Sequence, residues 1–186
     1  MRKCHHHIIK EGFVVELVDI VNDDNEVIDT VSRAQMRQGL LAHRACYIAY
    51  CDRQNRFLVE VRTLSKDYAP GKLDVCIGGV LQHGEDILEG SKRELLEEVG
   101  IDANSDNLIF EFLGTKKLIY ADGKHFLYAY LYFAKGDEIT SRQKEEVSGI
   151  MFLNKEDVIA LGDNTTKDAL EAFVEIINRA KARDLL

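Results

Sequence analysis

The stretch from Gly79 to Ile101 constrains this chain more than any other. Glu85 opens a helical pattern there, and a carboxylate suits the positive end of a helix. Gly100 ends the pattern, as expected just past a helix C-terminus. Leu88, Ser91, Leu95 and Val99 recur at helical spacing and make a narrow apolar stripe. Glu94, Glu97 and Glu98, spaced i, i+3, i+4, share one face beside that stripe. In a plain helix this is unfavourable. Like charges at those spacings repel by roughly 0.2–0.5 kcal/mol per pair, and the last turns of a helix disfavour anions. A hard divalent cation among the three acids resolves the conflict, because Mg²⁺ takes carboxylate oxygens. Arg93, four residues before Glu97, can hold that carboxylate with its forked donors. A solvated acidic face is the other meaning of such a run.

The order of residues decides between the two. Gly79, Glu85, Arg93, Glu94, Leu95, Glu97, Glu98, Gly100 and Ile101 fill every fixed position of G-x5-E-x7-R-E-U-x-E-E-x-G-U, with U apolar. The stretch therefore resembles the Nudix box, a long and specific motif. That resemblance implies a loop–helix–loop that binds Mg²⁺, with Mn²⁺ as a substitute, and hydrolyses a diphosphate linked to another group. It implies Glu94, Glu97, Glu98 and the Gly79 carbonyl as metal holders. Glu85, Arg93 and Gly100 are then the residues that shape the box. The general base is Glu94, Glu98, or one of Glu145 and Glu146, the pair just before the last strand, where many family members place a catalytic carboxylate. An exposed charge pair is the other reading of Glu145 and Glu146.

Composition sets outer limits. With 186 residues the chain suits one domain with a sizeable core. Its 46% hydrophobic and 30% charged residues are those of an ordinary globular protein. A net charge of −8 argues against general nucleic-acid affinity, which rests on many Lys and Arg contacts. No apolar run is long enough to span a membrane, and the first residues have no apolar signal region. Cys4, Cys46, Cys51 and Cys76 form no C-x-x-C pair. Reduced thiols in a cytoplasm are expected. Cys4 with His5, His6 and His7 reads either as a frayed or added terminus or as a transition-metal ligand set.

The remaining pattern predicts an ordered series of elements. Phe13 to Ile20 and Val27 to Thr30 read as strands around the turn at Asn22–Asn25, and Ser32 caps a short helix from Arg33 to Leu40. Strands follow at His43 to Cys51, Arg56 to Arg62 and Leu73 to Gly79. The loop Lys66 to Lys72 between the last two holds the only proline, Pro70. After the box come strands at Asn107 to Lys116, His125 to Ala134 and Val147 to Leu153. The second of these is apolar on both faces, which predicts a covered central strand. Asn154 caps a helix through Leu161, and Thr166 to Ala182 is an amphipathic helix. The expected fold is α/β (α+β), a mixed β-sheet in an α/β/α sandwich. It forms a single domain over 1–186, with a hairpin and short helix in 1–40 and a closing helix in 162–186.

A narrower resemblance covers most of residues 14 to 160. Leu41-Ala-His43-Arg44-Ala45 and Arg62-Thr-Leu-Ser-Lys66-Asp-Tyr-Ala-Pro70-Gly71-Lys72 look like the isopentenyl-diphosphate isomerase branch. It implies that Arg62, Lys66 and Lys72 contact a substrate diphosphate, chemistry that suits both a fork and a point charge. The isomerase's cysteine and glutamate, however, fall at Gly78 and Tyr128. Cys76, two residues earlier, fits core better than catalysis. Hydrolysis of a small-molecule diphosphate is thus the leading reading, with isopentenyl-diphosphate isomerisation the alternative. Phe126, Tyr128 and Tyr130 either stack on a base or pack in the core. The sequence leaves the substrate open and is compatible with a homodimer.

Overall fold

The computed structural model describes residues 8–10 and 13–186; the Cys4-His5-His6-His7 run lies outside the described residues. Two apolar strands set the centre. β5 (Arg44–Cys51) and β9 (Phe126–Lys135) run parallel, with Arg44 opposite Tyr128 and Cys51 opposite Lys135. β6 (Phe57–Arg62) and β10 (Val147–Leu153) extend the sheet on one side, and β8 (Ile109–Ile119) closes it on the other. The order is β10-β6-β5-β9-β8, and β7 (Leu73–Asp74) pairs with β6.

Successive strand residues point to opposite faces, and β5 uses this to feed two cores. Ala45, Tyr47, Ala49 and Cys51 join Phe173, Ile176 and Ile177 of α4 (Lys167–Lys181). Cys46, Ile48 and Tyr50 join Leu95 and Val99 of α2 (Ile87–Val99). β9 divides likewise, with Leu127, Leu131 and Phe133 toward α4 and Tyr130 and Tyr132 toward α2. Burial on both faces is why these strands read as continuous apolar runs. The mixed sheet lies between helices, as the sequence predicts.

The N-terminal part folds over the start of the box. β3 (Leu17–Val21) and β4 (Val27–Ser32) form a hairpin, and α1 (Arg33–Gly39) follows directly. Ser32 and Gln35 close a capping box around the first turn of α1. Val18, Ile20 and Met36 make a small core against Val80 and Leu41. The expected single strand from Phe13 to Ile20 is interrupted. β2 (Phe13–Val15) pairs with β1 (Ile8–Lys10), and the Glu16 carbonyl between β2 and β3 accepts the Arg33 N–H at 2.9 Å.

Two further expectations shift. Leu73 to Gly79 is laddered only over β7 and then touches β5 at single bridges, Ile48 with Ile77 and Ala45 with Val80. Gly78, at φ +142°, breaks the pleat that a continuous ladder needs. The helix of the box starts after Asp86, whose side chain accepts from Leu88 N and Glu89 N, and not at Glu85. This sets the helix phase so that Ile87, not Leu88, joins Ser91, Leu95 and Val99 on the inner face; Leu88 is 42% exposed. α3 (Lys155–Ala160), capped by Asn154, and α4 fall where expected.

The α4 core is expected to carry much of the stability. Phe173 is fully buried and meets Phe57 edge-on at 5.0 Å between ring centroids. Phe173→Ala should cost about 3–5 kcal/mol, seen as a lowered urea midpoint. A loss under about 1 kcal/mol would mean that this layer does not support the sheet.

Candidate active site

Arg93 organises the box. Its Nε and Nη2 donate to the two Glu85 oxygens at 2.7 and 3.1 Å, a forked pair. Its Nη1 lies 2.8 Å from Glu94 and 2.9 Å from Glu97. Glu85 also accepts the Gln82 N–H at 3.1 Å, so the loop and the helix are clamped together. A Cβ at Gly90 would stand 2.8 Å from the Glu85 carboxyl carbon, so the helix stays bare where the clamp passes. Gly100 ends α2 at φ +72°, its N–H turned back to Leu95 and Leu96 carbonyls.

Glu98 sits deepest, at 3% exposure. One oxygen accepts the Gly78 N–H at 3.0 Å and the other accepts Lys66 Nζ at 3.2 Å. Glu94 lies flat against Gly79, where an added Cβ would be 3.1 Å from its Oε2. Burial, with Glu98 adding repulsion against the pull of Arg93, pushes Glu94 up to about 7. Burial raises Glu98 as well, opposed by Lys66 and the Gly78 N–H. Glu97 is the outer member, half exposed and held by Arg93.

A second loop closes over this cluster. Ser141 N and Gln143 N bond the carbonyls of Val99 and Glu98, so the loop hangs from the end of α2. It delivers Glu146 to Lys66, which thus bridges Glu98 and Glu146. Burial would raise the Glu146 pKa, but the hydrogen bond and charge of Lys66 hold it below the ordinary glutamate value. Glu145 is exposed, and its carbonyl accepts from Thr63 Oγ1 and Ser65 Oγ. Of that pair, Glu146 is the one the fold brings to the cluster.

A NUDIX domain model matches residues 41–173. This chain belongs to the Nudix family. The uncharacterised Nudix hydrolase YfcD of Escherichia coli K12 is 38% identical over 158 residues, 85% of this chain and 84% of the relative. A Yersinia pestis protein, also described as an uncharacterised Nudix hydrolase, is 36% identical over 171 residues, 92% of this chain and 91% of its own. Among solved structures, DR0079 of Deinococcus radiodurans superposes with a TM-score of 0.69 at 23% identity, covering 84% of this chain and 96% of that one. The NUDIX domain of Shewanella oneidensis NrtR, solved with ADP ribose, gives 0.56 at 17% identity, covering 82% and 99%. At these identities the structures show a shared fold. The Nudix chain is accordingly an enzyme of the pyrophosphohydrolase class.

Of the three cations expected to contact a diphosphate, the Nudix fold brings only Lys66 into an ion pair with a box carboxylate. Arg62 is 9% exposed and donates to Asp74 at 2.9 Å and to the Tyr68 carbonyl at 2.8 Å. Lys72 donates to the carbonyls of Asp163 and Thr165 at 3.2 and 3.3 Å. Both also donate to backbone carbonyls of neighbouring loops. Arg33 is the cation the sequence reading missed. It pairs with Glu16 at 2.7 Å and lies within electrostatic reach of Glu94 and Glu146. Its signal was its place in the first turn of a capped helix, visible only once the helix is seen above the box.

Glu60 was missed too. It is 3% exposed on β6, and its Oε1 is a buried oxygen with no hydrogen-bond partner. Burial, then Glu98 and Asp74, raise its pKa well above the ordinary value. A single Glu inside the apolar run Phe57–Arg62 was its only trace in the sequence. The tyrosines of β9 are structural. Tyr128 donates to the Asp23 carbonyl, and Tyr130 accepts from Asn25 Nδ2 at 2.8 Å, so they dock the hairpin turn on the sheet.

Among the described residues, no three His, Cys, Asp or Glu side chains stand together closely enough to hold a metal ion. Lys66 and Arg93 occupy the carboxylate oxygens instead. The donors nevertheless fit a hard divalent cation. Glu94, Glu98 and the Gly79 carbonyl are all oxygen ligands, and the carbonyl keeps a lone pair beyond the one bonded to Cys46 N at 2.9 Å. The orphaned Glu60 oxygen is a further buried acceptor within electrostatic reach of Glu98.

This arrangement fixes a pH response for the metal-free protein. The folded state binds the Glu60 proton more tightly than the unfolded chain does. Its contribution to stability is therefore full below about pH 4.3 and is lost as pH rises through the raised value. In chelator, Glu60→Gln should become increasingly more stable than wild type as pH rises from about 5 to about 9. Urea midpoints that run parallel over that range would show that the carboxyl is not held in this way.

Proposed function

We propose that this enzyme uses Mg²⁺, with Mn²⁺ as a substitute, to hydrolyse the diphosphate linkage of a nucleoside-diphosphate derivative or a related organic diphosphate. The observation that carries the reading is the pair Glu94, partly buried, and Glu98, buried, set against the backbone of Gly79 and Gly78. Glu94, Glu98, the Gly79 carbonyl and, from the solvent side, Glu97 would hold the cation. Bound there, it would neutralise the diphosphate and make an attacking water more acidic. The protein's part is placement and charge. Lys66 turns from its two carboxylates toward the phosphate oxygens, and Arg33 supports it. Glu146, released by Lys66, accepts the proton of the attacking water. Glu85 and Arg93 keep α2 in register with the loop.

Isopentenyl-diphosphate isomerisation is not supported as the activity. It needs two placed acid/base groups. At Gly78 a Cβ would lie 2.2 Å from the Cys46 carbonyl oxygen, so no cysteine fits there. Cys76 is buried in the α4 core with its thiol toward the Ala169 carbonyl at 3.6 Å. The Tyr128 hydroxyl is spent on Asp23. The likeness to that branch reads as a shared scaffold.

The first test is a panel of diphosphate compounds with Mg²⁺, products identified by mass. Turnover should require the metal, and Glu98→Gln should lower it by about 100-fold or more while circular dichroism stays unchanged. A variant within about threefold of wild type at saturating Mg²⁺ would remove Glu98 from the metal site. Isopentenyl diphosphate should give no dimethylallyl diphosphate. Catalytic formation of that product, abolished by Cys76→Ala, would replace the hydrolase reading with the isomerase one.

A further inference from the structure

The backbone of Lys66 is loosely held. It lies in the segment between β6 and β7, and its amide donates to the Thr63 carbonyl at a long 3.4 Å. Leu64, two residues earlier, is 84% exposed, so apolar burial does not anchor this turn. What fixes the segment stands on either side. Before Lys66, Thr63 N–H and Oγ1 donate to the carbonyls of Glu146 and Glu145 at 3.0 and 2.9 Å. After it, Tyr68 is held at both ends. Its carbonyl accepts Arg62 Nη2 at 2.8 Å, and its hydroxyl donates to Asp168 Oδ1 at 2.9 Å.

Asp168 is itself fixed. It stands in the first turn of α4, where a carboxylate is favoured. Its other oxygen accepts the hydroxyl of Tyr47, on β5, at 2.7 Å. Tyr47 is buried in the α4 core, where close packing leaves its ring little room to shift. Burial first, then the Asp168 charge, raise both phenols above the ordinary tyrosine value, so both stay protonated donors. One carboxylate thus joins the central sheet, α4 and the Lys66 loop. We propose that Asp168 is a positioning residue for Lys66, accepting from Tyr47 and Tyr68 together to set the loop where the ammonium meets Glu98 and Glu146. The proposal deepens the diphosphate-hydrolase reading and rests on it for the claim that Lys66 then serves the phosphate.

Tyr68→Phe removes the hydroxyl and leaves the ring and the Arg62 contact in place. In the full chain with chelator, acylation of the Lys66 amine by acetic anhydride, followed by peptide mass, reads how firmly the ammonium is held. Tyr68→Phe, and independently Asp168→Ala, should speed it about fivefold. Lys116, paired with Glu171 and Glu175, should react as in wild type. An unchanged Lys66 rate in either variant, or an equal rise at Lys116, would overturn the proposal. On any panel compound that is turned over, Tyr68→Phe should lower kcat/KM about tenfold in the wild-type background. In the Lys66→Ala background it should lower kcat/KM less than about twofold, because it acts through that side chain. Equal losses in both backgrounds would show a merely structural bond and equally overturn it. A panel with no turnover would sink the hydrolase reading while the acylation rates still decide the positioning role.

Discussion

Four separate segments of chain meet on Glu98. Its carboxylate takes the Gly78 N–H from the approach to the box and Lys66 from the loop after β6. Its backbone carbonyl takes Gln143 N from the loop before β10, and α2 supplies the residue itself. Its side chain is buried at the end of the α2 core. No one of these contacts is strong alone, since a hydrogen bond to a charged group contributes about 1.5–3 kcal/mol. Together they set where Gly79, Lys66 and Glu146 stand relative to one another.

The arrangement is electrostatically unfavourable by design of the sequence. Glu60, Glu94, Glu98 and Asp74 are acids in low-dielectric surroundings, and burial raises the pKa of each. Arg62, Lys66 and Arg93 offset part of this, and the rest persists as an unpartnered oxygen on Glu60. Such strain is tolerated where the surrounding sheet over-determines the fold. Here the α4 core on the other face of the sheet supplies that rigidity.

Much of this was legible in the residues. The box could be read because its acids violate helix rules in a fixed order, and β9 because both of its faces are apolar. Leu88 misled because the cap at Asp86, not the apolar spacing, sets the phase of α2. The protein partners of Arg62 and Lys72 could not be read, because adjacency to the box says nothing about which carbonyls they reach. The docking of Asp23 and Asn25 on Tyr128 and Tyr130 joins residues 105 apart, beyond any local pattern.

The central claim is that the acid cluster is a cation site held ready by Glu98. Anomalous scattering from crystals soaked in Mn²⁺ tests it without any knowledge of the substrate. The account predicts a peak bounded by Glu94, Glu98 and the Gly79 carbonyl, with the Lys66 ammonium displaced from Glu98. A cluster still bridged by Lys66, with manganese elsewhere or absent, would contradict it.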